Sequence, residues 1–400
     1  MSQSSRKASF ARRIIALLVA IVVLIAVSEY LPDRFNDKHH LMPTNEQLSF
    51  QSTADNGMRL RIEDLEGRNI PTSKKQEREC ADPEAAPLSC FQEQASLKTS
   101  RISSTSPTPV KEVAKLTTHG TLSQGTELIG TLDQSYTIAR ESSFWVPGPE
   151  EHSVTSPLFK GTLSGRDLPR PGLTHTYFMQ RSFPQSYLYF DQLTLVPQPI
   201  DYADAGTDGS FTVSKYKNQV TAFPLLGTIA DHWRPSSPGA GATVLDAFAR
   251  PNTMPGASLF TPDQLYEQSI APNEAVAVEP FVTIDRKVDV EPRTGTVINT
   301  AENYYIYYAR DGEEAAALAA KWRKTGQADP MRNIFSGNFS FDDATIAAQE
   351  NRAKKQLHDI HVVDIWYWVT KFFAVVLAIV IFVEVTRYRR REARTLALGA

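Results

Sequence analysis

His358 and His361 stand one helical turn apart with Asp364 close behind, and side chains of those types on one helix face are what a divalent metal needs. An interfacial helix that turns polar residues toward lipid headgroups explains the same letters, so no metal is assigned. Asp204 and Asp208-Gly209 have the spacing of a calcium loop, but Lys215 stands where the closing Glu is required and the stretch reads as a hairpin turn. Thr174, His175, Asp231 and His232 become acid/base groups only if folding gathers them. The chain has no G-x-S-x-G elbow, H-E-x-x-H pair, phosphate-binding loop or G-x-G-x-x-G turn. No catalytic residue and no cofactor are therefore assigned, and the expectation is a protein that is not an enzyme.

The aromatic residues are more informative. Tyr177, Phe178, Phe183, Tyr187, Tyr189 and Phe190 fall in one short region, and Tyr304, Tyr305, Tyr307 and Tyr308 in another. One reading is a two-sided β core. The sharper one is a ring-lined pocket for an acyl chain, with Tyr177, Phe178, Phe183, Tyr187, Tyr189, Phe190, Tyr305 and Tyr307 as its candidate wall.

These residues must be held by a chain whose 42% apolar and 22% charged composition is that of a folded protein. The ends differ from the middle. Ile14 to Leu31 is apolar apart from Glu29 and follows Arg6, Lys7, Arg12 and Arg13, and its eighteen residues span about 27 Å as a helix. This is a membrane span or, with Ala26 and Ser28 at cleavage-site spacing, a signal peptide. Ile365 to Thr386 is the second span, with Trp366, Tyr367, Trp368 and Lys371 at one interface and Arg387 to Arg394 beyond the other. Basic flanks on both outer sides place residues 1–13 and 387–400 in the cytoplasm and the middle outside. Nine of the 42 Lys and Arg lie at these ends against three of the 45 Asp and Glu. The exported part is thus acidic and poorly suited to nucleic acid.

Residues 32–110 read as a polar region, in part extended linker through the run TSRISSTSPTP. Cys80 and Cys90 either form a local disulfide, which an oxidising exterior favours, or remain two thiols. Residues 111–340 carry short runs rich in Val, Ile, Thr, Tyr and Phe between turns, which predicts a mainly β fold, an antiparallel sheet or barrel-like domain with few helices. The sequence predicts an Ala-rich helix over 312–324. It also predicts a helix from Phe341, capped by Ser340, running through residues 341–364 into the second span.

The stretch VTIDRKVDVEPRTGTVINTAENYYIYYA, with Pro292, Arg293, Thr294 and Gly295 at its turn, then FSFDDATIAAQENRAKKQL and a terminal span with a basic tail, resembles the actinobacterial PorA-family envelope proteins. The resemblance implies a plasma-membrane protein with two spans and an exported domain, and a part in building or moving envelope lipids and lipoglycans of mycolate or lipomannan type. Its partners would be membrane lipids, a lipid or lipoglycan ligand, or an envelope biosynthesis or transport complex. The layout is also similar to that of class B scavenger receptors, with cytoplasmic ends around a β-rich domain. Against carriage of a ligand stands the plainer role of scaffold or accessory subunit of an envelope glycosyltransferase or lipid transporter, and less favoured is an enzyme acting on glycolipids.

Overall fold

The computed structural model describes residues 3–39, 41–155, 162–165, 170–173, 182–209, 211–226 and 253–397. Met42–Ala353 form one compact unit; Met1–Leu41 and Lys354–Ala400 form the other.

In the larger unit, side chains alternate between covered and open faces with the period of two that a strand imposes. Along one strand Ala114, Leu116 and Thr118 are buried while Lys115, Thr117 and His119 are exposed. The strands are β1 (Gln47–Leu60), β2 (Gln92–Pro107), β3 (Val113–Gln124), β4 (Glu127–Ala139), β5 (Trp145–Thr155), β6 (Thr162–Gly165), β7 (Tyr187–Phe190), β8 (Pro197–Asp208), β9 (Phe211–Pro224), β10 (Thr253–Pro255), β11 (Ala275–Ala277), β12 (Glu279–Glu291), β13 (Thr296–Ala309) and β14 (Asn333–Phe341). Twelve of them build one antiparallel sheet in the order β6-β5-β4-β3-β2-β1-β14-β13-β12-β9-β8-β7, and β10 pairs with β11 apart from it. Two meanders therefore meet at the central β1–β14 pair.

A sheet of this many strands accumulates twist and curls. Here the curl carries the segments flanking β7 across to β4: Arg170 donates to Gln134 Oε1 at 3.1 Å, Gln192 to the same oxygen at 3.3 Å, and the Arg170 guanidinium lies 4.7 Å from the Tyr136 ring centre. The sheet is barrel-like without being a closed barrel, since β6 and β7 are not paired to each other among the described residues.

The run expected as linker is a central strand, β2. Its inward Ser103 shares a hydrogen bond of 3.0 Å with Thr118, and Thr105 donates to Pro43 O at 2.8 Å. Polar composition here marks a sheet interior whose hydroxyls are satisfied across strands. The 42–353 unit accordingly begins well before residue 111.

Cys80 and Cys90 are bonded to each other. Their loop, with Ala86, Leu88 and Phe91 fully buried, packs into the same core as the helices α3 (Gly256–Leu259) and α4 (Pro262–Gln268), which follow α2 (Ile62–Glu66) in the chain; Ser258 donates to Ala86 O at 3.1 Å. Together they pack against the inward residues Leu97, Ile284 and Ile306 of the sheet. Replacing both cysteines by serine is expected to cost about 2 to 3 kcal/mol, from the loop-closure entropy regained by the unfolded chain. Urea unfolding with and without reductant checks this, and a shift confined to noise would contradict it.

The β12–β13 turn is built as its letters suggest. Gly295 takes a φ of 68°, and the buried Glu291 carboxylate accepts from the backbone N–H groups of Arg293 at 3.2 Å and Thr294 at 2.8 Å, while Pro292 O accepts from Ser182 N. Only a residue that tolerates the left-handed region closes so short a connection. Helix α5 (Gly312–Thr325) is capped by Asp311, whose carboxylate accepts from Glu314 N at 2.9 Å, and ends at Gly326 with φ 70°.

The terminal helix α6 (Asp343–Ala397) starts later than the sequence predicts. Ser340 pairs with Thr53 and Ala301 inside the sheet, so β14 continues through Phe341 and the cap passes to Asp342, which accepts from Thr345 N at 2.8 Å. From there the helix is continuous, with neither Gly nor Pro before its end.

In the smaller unit, α1 (Gln3–His39) and α6 contain stretches long and apolar enough to cross a membrane, Ser9–Tyr30 and part of Asp343–Arg391. They pair antiparallel: Phe10 stacks on Tyr388 with ring centres 4.1 Å apart, and Lys371 reaches Glu29 at 3.2 Å. Lys371 also bonds the Tyr367 hydroxyl, and Trp366 and Trp368 are exposed. His358, His361 and Asp364 are exposed on α6.

Candidate functional site

The inner face of the curled sheet is not filled throughout. Beside the disulfide-loop core and the second cluster of Leu48, Phe50, Leu116, Tyr136 and Ile138 lies a half-open cavity of about 300 Å3, whose lining draws on both. Its wall is drawn from both meanders: Phe50 and Leu60 of β1, Leu122 of β3, Leu132 of β4, Tyr304 and Ile306 of β13, and Phe335, Phe339 and Phe341 of β14. Leu193, in the loop after β7, closes it from across the curl. Gly120 of β3 contributes bare backbone, and a Cβ placed there would meet nothing nearer than Leu132 Cβ at 3.5 Å. The space is at the lower end of the ~300 to 1000 Å3 typical of small-molecule sites.

Charge enters this apolar wall at three arginines. Arg286 of β12 is fully buried; it donates to Asp191 at 2.8 Å, Glu302 at 2.6 Å and Asn218 at 2.7 Å, and lies over the Tyr189 ring. Burial opposes its charge, but Tyr189, Glu302, Tyr304 and Asp191 outweigh that and hold its pKa above the ordinary value. Every carboxylate oxygen of this cluster is engaged, since Asp191 Oδ1 accepts from Leu193 N and Thr194 N and Glu302 Oε2 from the Tyr304 hydroxyl at 2.7 Å. Burial raises the Tyr304 phenol, which stays protonated as that donor. Arg59 of β1 is bound by Glu93 and, at 3.0 Å, by both oxygens of Glu127. Arg101 of β2, half-buried, has no hydrogen bond or ion pair among the described residues.

The cluster is built to hold charge rather than to transfer protons, because no carboxylate in it presents a spare oxygen to the cavity. For a metal, Glu77, Glu79 and Cys80 converge among the described residues, yet Cys80 is in the disulfide and offers no thiolate. On the other side of the sheet a polar recess of about 560 Å3 lies beside Asp285, Asn303, Arg323 and Asn338, bridged by the Arg323–Asp285 ion pair.

Of the sequence-derived aromatic wall, Tyr177 and Phe178 lie outside the described residues, as do Thr174, His175, Asp231 and His232. Phe183 is 60% exposed. Tyr187 is buried and its hydroxyl bonds the Phe183 backbone; Tyr189 lies under Arg286; Phe190 packs in the core beneath Arg170. Tyr305 and Tyr307 point to the opposite face of β13, stacked on each other at 4.2 Å, with Tyr305 against Trp322 of α5 and the Tyr307 hydroxyl bonded to Ala315 O. These rings do not line the cavity. Tyr304 and Ile306, in register between them, do; strict alternation along NYYIYYA carries that division, but which face is inward depends on the curl. Phe335 and Phe339 fall in the expected β-rich region without being singled out, and Phe341 is expected as the first residue of a helix.

A family model described as Porin PorA matches residues 15–383. A protein named Porin PorA from Corynebacterium amycolatum is 23% identical over 358 residues, covering 85% of this chain and 89% of its own. A second, also named Porin PorA, from Corynebacterium resistens, is 23% identical over 252 residues, covering 57% and 59%.

Proposed function

The chain belongs to the PorA family, and we propose that it is a non-enzymatic, membrane-anchored envelope protein whose β domain takes up the acyl part of an envelope lipid or lipoglycan outside the plasma membrane. The observation that carries this reading is the cavity: side chains from two meanders, most of them apolar, line a half-open space of about 300 Å3 on the inner face of the sheet. Burial of an alkyl chain there is favourable at about 25 cal/mol per Å2.

Two helices of sufficient length and apolarity supply the anchor. In this reading both chain ends lie in the cytoplasm, supported by the antiparallel pairing of the two helices and by the basic residues Arg12, Arg13 and Arg387 to Arg391 near those ends. A cleaved first span would remove the partner of Lys371.

The name shared by the relatives favours a second reading, a pore. A pore formed by these strands would need an outward apolar band facing lipid. The outward residues of the sheet include Lys98, Lys115, Thr117 and His119, which suits an aqueous surface.

Native mass spectrometry with lipid extraction on the full-length protein from an envelope-bearing host tests the proposal. One co-purifying amphiphile per chain is the expected result. A folded protein that carries none, and binds none added, would defeat the reading and leave a scaffold for an envelope glycosyltransferase or lipid transporter as the better account.

A further inference from the structure

Among the three arginines of the cavity, two are neutralised by design and one is not. Asp191 and Glu302 are committed to Arg286, and Glu93 and Glu127 to Arg59. Arg101 is the remaining cation of the wall, without a hydrogen bond or ion pair among the described residues. Its cross-strand neighbours supply no acid either. It is paired in register with Phe50 of β1 on one side and with Gly120 of β3 on the other. On its own strand the inward neighbours are Thr99 and Ser103.

A guanidinium on an inward-facing strand position, half removed from water and left without a counter-charge, is costly unless something anionic meets it. The absence of a side chain at Gly120 keeps the space beside it open. Guanidinium groups bind carboxylates and phosphates through two parallel N–H donors.

We propose that the cavity is an anionic-amphiphile site in which Arg101 binds the head carboxylate or phosphate while the alkyl chain lies against Leu122, Leu132, Ile306 and Phe339. This rests on the acyl-cavity reading above and adds to it the charge and orientation of the ligand. Thr99, which lines the cavity beside Arg101, flanks the same head position with its hydroxyl. Arg286 plays no part in holding the ligand, because its donors are taken by protein oxygens.

Displacement of a fluorescent alkyl probe from the full-length protein in amphipol separates these claims, using dodecanoate, dodecyl phosphate and dodecanol as competitors of equal chain length. The two anions are expected to compete at least about tenfold better than dodecanol, and Arg101→Gln to remove that advantage while leaving dodecanol unchanged; a tenfold difference is a free-energy difference of ~1.4 kcal/mol. Arg101→Lys should keep part of it. Which anion competes better tells a fatty-acid source from a phospholipid-like one. Equal competition by all three, or an anion preference that survives Arg101→Gln, overturns the assignment of Arg101 and leaves the acyl cavity standing. Failure of every competitor and of the probe to bind would remove both.

Discussion

Arg286→Met is expected to destabilise the protein by about 3 to 5 kcal/mol, the range found when one partner is removed from a buried ion pair. The size follows from what is left behind. Asp191 and Glu302 would face each other in the cavity wall with no cation between them, and Asn218 Oδ1 would lose the donor it accepts from. Repacking does not relieve this, since the Asp191 carboxylate is also fixed by Leu193 N and Thr194 N. As a control, Lys321→Ala breaks an ion pair to Asp329 whose lysine is 61% exposed, and should cost less than about 1 kcal/mol. Denaturant unfolding followed by tryptophan fluorescence compares the two. A triple change that also replaces Asp191 and Glu302 by apolar residues should recover part of the loss, because the unpaired charges are then gone. Were Arg286→Met no worse than Lys321→Ala, the cluster would not be the electrostatic centre described here.

Gly120→Leu should act in the opposite direction on stability while abolishing ligand uptake. Glycine inside a strand costs roughly 0.5 to 1 kcal/mol relative to alanine, and each further buried CH2 returns about 0.8 kcal/mol. The first added carbon has ordinary van der Waals room at 3.5 Å, and beyond it lies the cavity. The variant is expected to gain about 1 to 2 kcal/mol by the same area reasoning. Lipid extraction from it should return no stoichiometric amphiphile. Greater stability together with lost uptake is a pairing that misfolding cannot produce, so a variant that is more stable and still loaded would show that the ligand lies elsewhere.

The β architecture was readable because β9, β12 and β13 carry long runs of Val, Ile, Thr and Tyr, and α5 because its Ala-rich run stops at Gly326. The turn at Gly295 and the pairing of Cys80 with Cys90 were readable for equally local reasons. The cavity was not. Its wall takes a few residues from each of many strands, and a wall of that kind is specified by sheet order and curl, which are properties of distant pairings rather than of any window of sequence. β2 illustrates the difficulty most plainly: Thr99, Arg101, Ser103 and Thr105 are inward residues, yet by composition they look like linker. The rings were a reasonable guide to the interior, but Tyr305 and Tyr307 serve the packing of α5 and it is Tyr304 that reaches the void.

The sheet order also governs the sequence of events in making the domain. β1 is the first strand in the chain and β14 the last, yet they are neighbours at the centre of the sheet, with Ser52 against Phe341. Until β14 arrives, the two meanders end in the bare edges of β1 and β13, which are long, hydrogen-bond hungry and prone to pair with another chain. Local hairpins can form early, but the closure that joins them is the slowest kind of contact a chain makes. The final strand is thus the keystone of the sheet: a chain interrupted before residue 333 would present two unfinished half-sheets.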